Sequence, residues 1–228
     1  MIDGAARFAA RFPIVWHVIE AEGAGPWLAT TGLLPAATLL RLAGTPTDLF
    51  PSHEGANRDD FQRVAFGDRC EAILRQQIMP DRWLIPTLAG AYTGQPAAWR
   101  RVINAHVFFW PDERRRDAFI RACLRLRAQS RTTPAGTPPR VLAFETTALL
   151  RQHPRIAFFT RINAGSTVRG GARARRDEST FTLVEKYRGG AVAELAIRGR
   201  VMLSAATGLK RVSHSGLRAT SLWPDATP

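Results

Sequence analysis

Lysine is almost missing from this chain of 228 residues: Lys186 and Lys210 are the only two, so nearly all basic charge rests on arginine. Cysteine is equally scarce. Cys70 and Cys123 alone cannot form a disulfide framework or a metal cage of their own. Acidic residues are few, 19 against 32 Lys plus Arg, which leaves a formal charge of +13. No apolar run approaches the ~20 residues that a membrane span requires. The opening Met-Ile-Asp-Gly lacks the basic stretch and apolar run of a secretory signal. These absences predict a cytoplasmic chain with no membrane partner.

What is present is a hydrophobic fraction of 45%, ordinary for a chain that buries a core. The length predicts a single domain over 1–228. The charge points to a polyanionic partner, above all nucleic acid. Arginine's planar fork grips phosphate and stacks on bases, which fits that partner. A GC-rich genome would also replace lysine by arginine, but it would not create the +13 imbalance.

Residues 3–12 read as an amphipathic helix carrying Phe8 and Phe12, and 14–19 as a β-branched strand. Helices are predicted over 23–34, 35–42, 96–104, 112–129 and 146–152, the fourth with an aspartate cap. Strands are predicted at 64–66, 72–78, 106–110, 141–144, 156–162, 180–187 and 191–197, with 201–203 as an extension. The stretch 44–60 reads as a long surface loop and 132–139 as a linker. A glycine-rich loop at 163–179 carries Arg169, Arg173, Arg175 and Arg176 and is expected to contact nucleic acid. Short strands interleaved with helices predict an α+β domain around a bent or split mixed sheet flanked by helices.

No Walker loop, dinucleotide GxGxxG, HExxH, CxxC or GxSxG is present. Gly165-Ser-Thr-Val-Arg-Gly-Gly lacks the lysine and following helix of a phosphate cradle. The histidines at 17, 53, 106, 153 and 214 are scattered, so no metal is expected. Alternation along 106–110 places Val107 and Phe109 on one face and His106, Phe108 and Trp110 on the other. One face is expected to be core and the other to border a pocket. His17 reads equally as a half-buried strand histidine satisfied by backbone, and Glu194 as a solvent-facing strand residue. Glu145 reads as a helix N-cap.

Three strings together resemble ADP-ribosyltransferase-fold proteins, and most closely the DarT branch. They are Ile14-Val-Trp-His-Val-Ile-Glu followed by Thr31-Gly-Leu-Leu, Val107-Phe-Phe-Trp with Ile162-Asn-Ala-Gly-Ser-Thr, and Val192-Ala-Glu194-Leu-Ala-Ile-Arg-Gly-Arg-Val201. That branch transfers ADP-ribose from NAD to bases in DNA, in toxin systems or phage defence. The resemblance implies an ADP-ribosyltransferase-like fold with Glu194 as catalytic carboxylate and His17 as a ligand-positioning residue. Glu145 is the second carboxylate candidate, and Phe108, Trp110 and Asn163 are expected in the pocket. Arg41 and Arg58 are the two candidates for an NAD-binding arginine.

The residue types suit the chemistry. Breaking an N-glycosidic bond develops positive charge on the sugar, which a carboxylate stabilises, and the same group can take the acceptor's proton. A second reading is a DNA glycosylase on the same scaffold, which needs no NAD, flips a base into the pocket and leaves an abasic site. A third is a nucleic-acid-binding module without catalysis. The expected partner in all three is DNA, single- or double-stranded.

Overall fold

A computed structural model of the protein describes residues 3–20, 27–66, 70–75, 77–130, 139–166, 174–212 and 219–221. The chain opens with α1 (Gly4–Arg11), capped by the Asp3 side chain, and enters β1 (Ile14–Ile19). Two short helices follow, α2 (Trp27–Thr31) and α3 (Ala36–Leu42), the second starting behind Pro35 as proline's fixed φ favours. The stretch predicted as a long loop contains one helical turn, α4 (Phe50–Glu54). A hairpin of β2 (Gln62–Phe66) and β3 (Cys70–Leu74) leads through the short α5 (Asp81–Leu84) to α6 (Pro96–Asn104) and β4 (His106–Phe109). Then come α7 (Glu113–Gln129), β5 (Arg140–Glu145), α8 (Thr146–Gln152) and β6 (Ala157–Thr160). The chain closes with β7 (Thr182–Leu183), β8 (Glu194–Arg198), β9 (Ala206–Val212) and β10 (Ala219–Ser221).

The strands form two four-stranded sheets, ordered β1-β5-β9-β10 and β4-β8-β6-β7, beside the separate β2-β3 hairpin. Every ladder among the described residues is antiparallel, so the α+β class and the split sheet are found while the mixed character is corrected. The two sheets touch where Trp16 and Trp110 exchange backbone hydrogen bonds of 3.0 and 2.8 Å. Two strand expectations also need correction. Residues 180–187 keep only the two-residue β7 between 3₁₀ turns, because Asp177 and Thr180 close a capping box there. Val201 forms an isolated bridge to Leu33 rather than extending a strand, and the following residues turn before β9. That bridge explains the glycine of the Thr31-Gly-Leu-Leu string. Gly32 sits at φ 72°, and a Cβ there would lie 2.2 Å from the Val201 carbonyl oxygen.

The main core lies between the sheets. Phe8, Val15, Phe109, Phe144, Phe159, Leu195 and Ile197 are all buried in it, with Phe109 and Phe144 meeting edge to face at 5.2 Å. Smaller clusters join α3 to the hairpin, α6 to Ala164, and α7 to β1 and β5. The predicted alternation of 106–110 holds in part. Val107 and Phe109 are core, and Phe108 is half-buried on the opposite face. Trp110, on the face expected to border a pocket, is 92% buried and packs on Phe119 at 4.6 Å. Its truncation would therefore open a cavity in the α7 cluster as well.

No helix among the described residues is long and apolar enough to cross a membrane.

Candidate active site

A cleft of about 830 Å³ is walled by β1, the hairpin, α6 and α7, with Glu194 at the start of β8 also on its lining. That volume lies within the 300–1,000 Å³ usual for small-molecule sites. Glu194 enters it for a reason of register. On β8, Leu195 pairs with Phe109 and Phe159 and turns into the core, so Glu194 and Ala196 point to the other face, with Phe108. Glu194 is thus a buried carboxylate on the cleft wall, which corrects the reading of a solvent-facing strand residue.

Two donors hold it. Glu194 Oε2 accepts the Ala164 amide at 2.9 Å and the Thr160 hydroxyl at 3.2 Å. Thr160 stands opposite Glu194 in the β6–β8 ladder, and Ala164 lies four residues on, in the loop leaving β6. Burial raises the Glu194 pKa to about 7, and these donors together with the Arg115 and Arg176 charges act against that rise.

His17 lines the same cleft from β1. Its Nδ1–H donates to the Phe108 carbonyl at 2.7 Å, which leaves Nε2 as an acceptor. Burial lowers its pKa to about 4, opposed by that hydrogen bond and assisted by the nearby Arg75 charge. The imidazole is therefore neutral at pH 7, able to accept from a hydroxyl but not to pair with phosphate as a cation.

These two shifts act oppositely on stability. Glu194 binds its proton more tightly when folded, so ionising it destabilises the fold as pH rises from 4.5 to 7. His17 binds its proton less tightly when folded, so stability rises as pH climbs from 4 to 6.5. The stability of Glu194→Gln relative to the natural protein should therefore increase with pH across 4.5–7, by roughly 3 kcal/mol. Urea midpoints of both proteins at pH 5 and pH 8 check this, and a constant difference would show that Glu194 is hydrated.

Phe108, Trp110 and Asn163 all line the cleft, as expected. Glu145 does not. It ends β5 on the surface, and although it stands at the N-cap of α8 its side chain makes no capping bond. The β5 register with β1 turns Phe144 inward and leaves Glu145 outside, which removes it from the candidate catalytic groups.

Of the loop arginines, Arg169 and Arg173 lie outside the described residues. Arg175 is exposed and pairs with Asp177 at 3.1 Å. Arg176 contradicts its predicted role. It is fully buried and donates to the carbonyls of Ala174, Asn163 and Ser166 at 2.8, 3.3 and 2.6 Å. A guanidinium closed over three carbonyls does not reach phosphate. It instead pins the loop whose Ala164 amide holds Glu194.

Of the two candidate NAD-binding arginines, Arg58 lines the cleft and Arg41 is not on its wall. Arg58 Nε donates to the Arg75 carbonyl and Nη2 to Asn104, and burial lowers its pKa to about 10. Its Nη1 and the Nη2 of Arg75, also on the cleft wall, are buried without a hydrogen-bond partner. Buried unsatisfied donors are costly, and two on the wall of one cleft favour an anion there. Arg75 had no sequence signal. It is held by Glu20 at 2.6 Å, and Glu20 also accepts from Arg127 of α7 at 2.8 Å.

Among the described residues, no group of three His, Cys, Asp or Glu side chains gathers to hold a metal ion. A family model described as "Family of unknown function (DUF7002)" matches residues 13–207. The chain belongs to this family. The family match begins at β1 and runs into β9, so it takes in His17, Arg58, Glu194 and the whole cleft. No curated protein matches the chain.

Proposed function

We propose that this DUF7002 protein is a DNA-directed enzyme of N-glycosidic-bond chemistry, a DarT-like ADP-ribosyltransferase in fold and activity that acts on DNA bases in phage defence or a toxin system. The observation that carries the reading is Glu194, a buried carboxylate of pKa about 7 on the wall of a cleft that it shares with a neutral His17. The resemblance of the three strings supports the same assignment.

The residues of the cleft fit NAD. Arg58 and Arg75 carry unsatisfied buried donors suited to its phosphates, and Phe108 is an aromatic ring on the same wall. NAD, when bound, supplies a ribose carbon whose bond to nicotinamide is ready to break. His17 Nε2 accepts from a ribose hydroxyl and fixes the sugar. With NAD bound, ionised Glu194 would face the positive charge that grows on the sugar as neutral nicotinamide leaves, and its Oε1 would take the proton that the acceptor nitrogen of the base gives up. Thr160 and Ala164 keep the carboxylate in one orientation.

The test is incubation of the protein with an oligonucleotide, with and without NAD. An NAD-dependent mass increase of one ADP-ribose supports the proposal. Abasic sites formed without NAD would replace it by the glycosylase reading, and neither product would leave a binding protein. The pH profile separates the first two. A transferase that needs ionised Glu194 should gain kcat/KM as pH rises through about 7 and then level off. A proton donor to a departing base would lose activity over that range.

A further inference from the structure

We infer that α7 is a docking rail for the phosphate backbone of single-stranded nucleic acid. The helix carries six arginines, at 114, 115, 116, 121, 125 and 127, against two acids, Glu113 and Asp117. Three of the six are committed to the fold. Arg116 lies over Trp16 and pairs with both acids, Arg127 is buried against Glu20, and Arg115 pairs with Asp112. Arg114, Arg121 and Arg125 are exposed and have no acidic partner among the described residues.

Their spacing makes them one surface. Steps of seven and four residues return to nearly the same side of a 3.6-residue helix, so the three form a stripe about 16 Å long. Ile120, Cys123 and Arg127 occupy the buried side of α7. Arg115, Ala118, Phe119, Ala122 and Arg125 line the cleft, so the stripe runs along the cleft's rim with Arg125 belonging to both.

That arrangement favours nucleic acid over an acidic protein. Sequence-independent binding of single strands combines a cationic track for the backbone with aromatic faces for the bases. Here the track is the stripe, the half-buried Phe108 supplies an aromatic ring inside the cleft, and the small Ala118 and Ala122 let a strand approach closely. The inference rests on the charge and geometry of α7, and it holds whether or not Glu194 performs glycosidic chemistry. In the 163–179 loop, Arg175 pairs with Asp177 and Arg176 is closed over backbone carbonyls, while Arg169 and Arg173 lie outside the described residues.

The experiment is fluorescence anisotropy with a labelled single-stranded 20-mer over 50–200 mM salt. It compares the natural protein with the triple variant Arg114→Ala/Arg121→Ala/Arg125→Ala and with the triple lysine replacement. Each phosphate contact contributes about 0.7 to the logarithmic salt slope, so the alanine variant should lose about 2 and bind at least ~10-fold more weakly at low salt. The lysine variant should keep the slope. An unchanged slope in the alanine variant overturns the proposal, as does displacement of the 20-mer by poly-glutamate at lower concentration than by unlabelled DNA. Should the triple variant melt early, Arg121→Ala alone reads the same quantity, with an expected loss of about 0.7. Glu194→Gln, measured alongside, should bind normally, so loss of chemistry and loss of docking appear in different proteins.

Discussion

Glu194→Gln is expected to lower turnover by about 10²–10³-fold while DNA affinity stays the same or rises slightly. Glutamine keeps the shape and can still accept from Ala164 and Thr160, so the β6–β8 ladder is undisturbed. What disappears is a negative charge in a dry pocket, where it acts far more strongly than in water. His17→Ala should reduce the rate as well, through looser placement of the sugar. Measured single-turnover rates beside Kd for the same oligonucleotide separate the two effects. Full turnover in Glu194→Gln would move the chemistry to another group on the cleft wall. Glu20 is the remaining carboxylate there, and Glu145 is excluded because it stands on the surface at the far end of β5.

Glu20→Ala should destabilise the protein by about 3–5 kcal/mol, because it strips a buried pair of arginines of their carboxylate. The Glu20 side chain is 99% buried, between Arg75 from the end of the hairpin and Arg127 from α7. It is therefore the point at which β1, the hairpin and α7 are tied together around the cleft. Arg127 is itself 97% buried, so water does not replace the missing carboxylate without local opening. The loss should appear as a lower urea midpoint, accompanied by weaker binding of any anion that uses Arg75. A change below about 1 kcal/mol would mean that solvent screens the triad as it does a surface pair.

Much of the element order was legible because it is written in local chemistry. The β-branched run of β1, the Asp112 cap of α7, Pro35 before α3 and Pro96 in the first turn of α6 act within one or two turns of chain. Elements 180–187 and 201–203 were misread because apolar content alone does not distinguish a strand from a packed 3₁₀ turn. β9 was missed as well, since Ala206-Thr-Gly-Leu-Lys has neither alternation nor a β-branched run. Arg176 was misassigned for a related reason. Four arginines among glycines read as a solvated basic loop, and only packing reveals that one of them is closed over three carbonyls.

By itself, then, the sequence determined the α+β class, the strand that carries His17, the alternation that sends Phe109 inward and Phe108 outward, and the net charge of +13. These follow from backbone periodicity and composition, which need no partner segment. Only the tertiary structure decided which carboxylate faces the cleft, because that depends on pairing Glu194 with Thr160, 34 residues away, and Leu195 with Phe109. It decided equally that Arg58 and Arg75 meet on one wall, and that the free arginines of α7 run along the rim. Burial and register are properties of segments brought together, and a shift of one residue in either ladder would have turned Glu194 into the core.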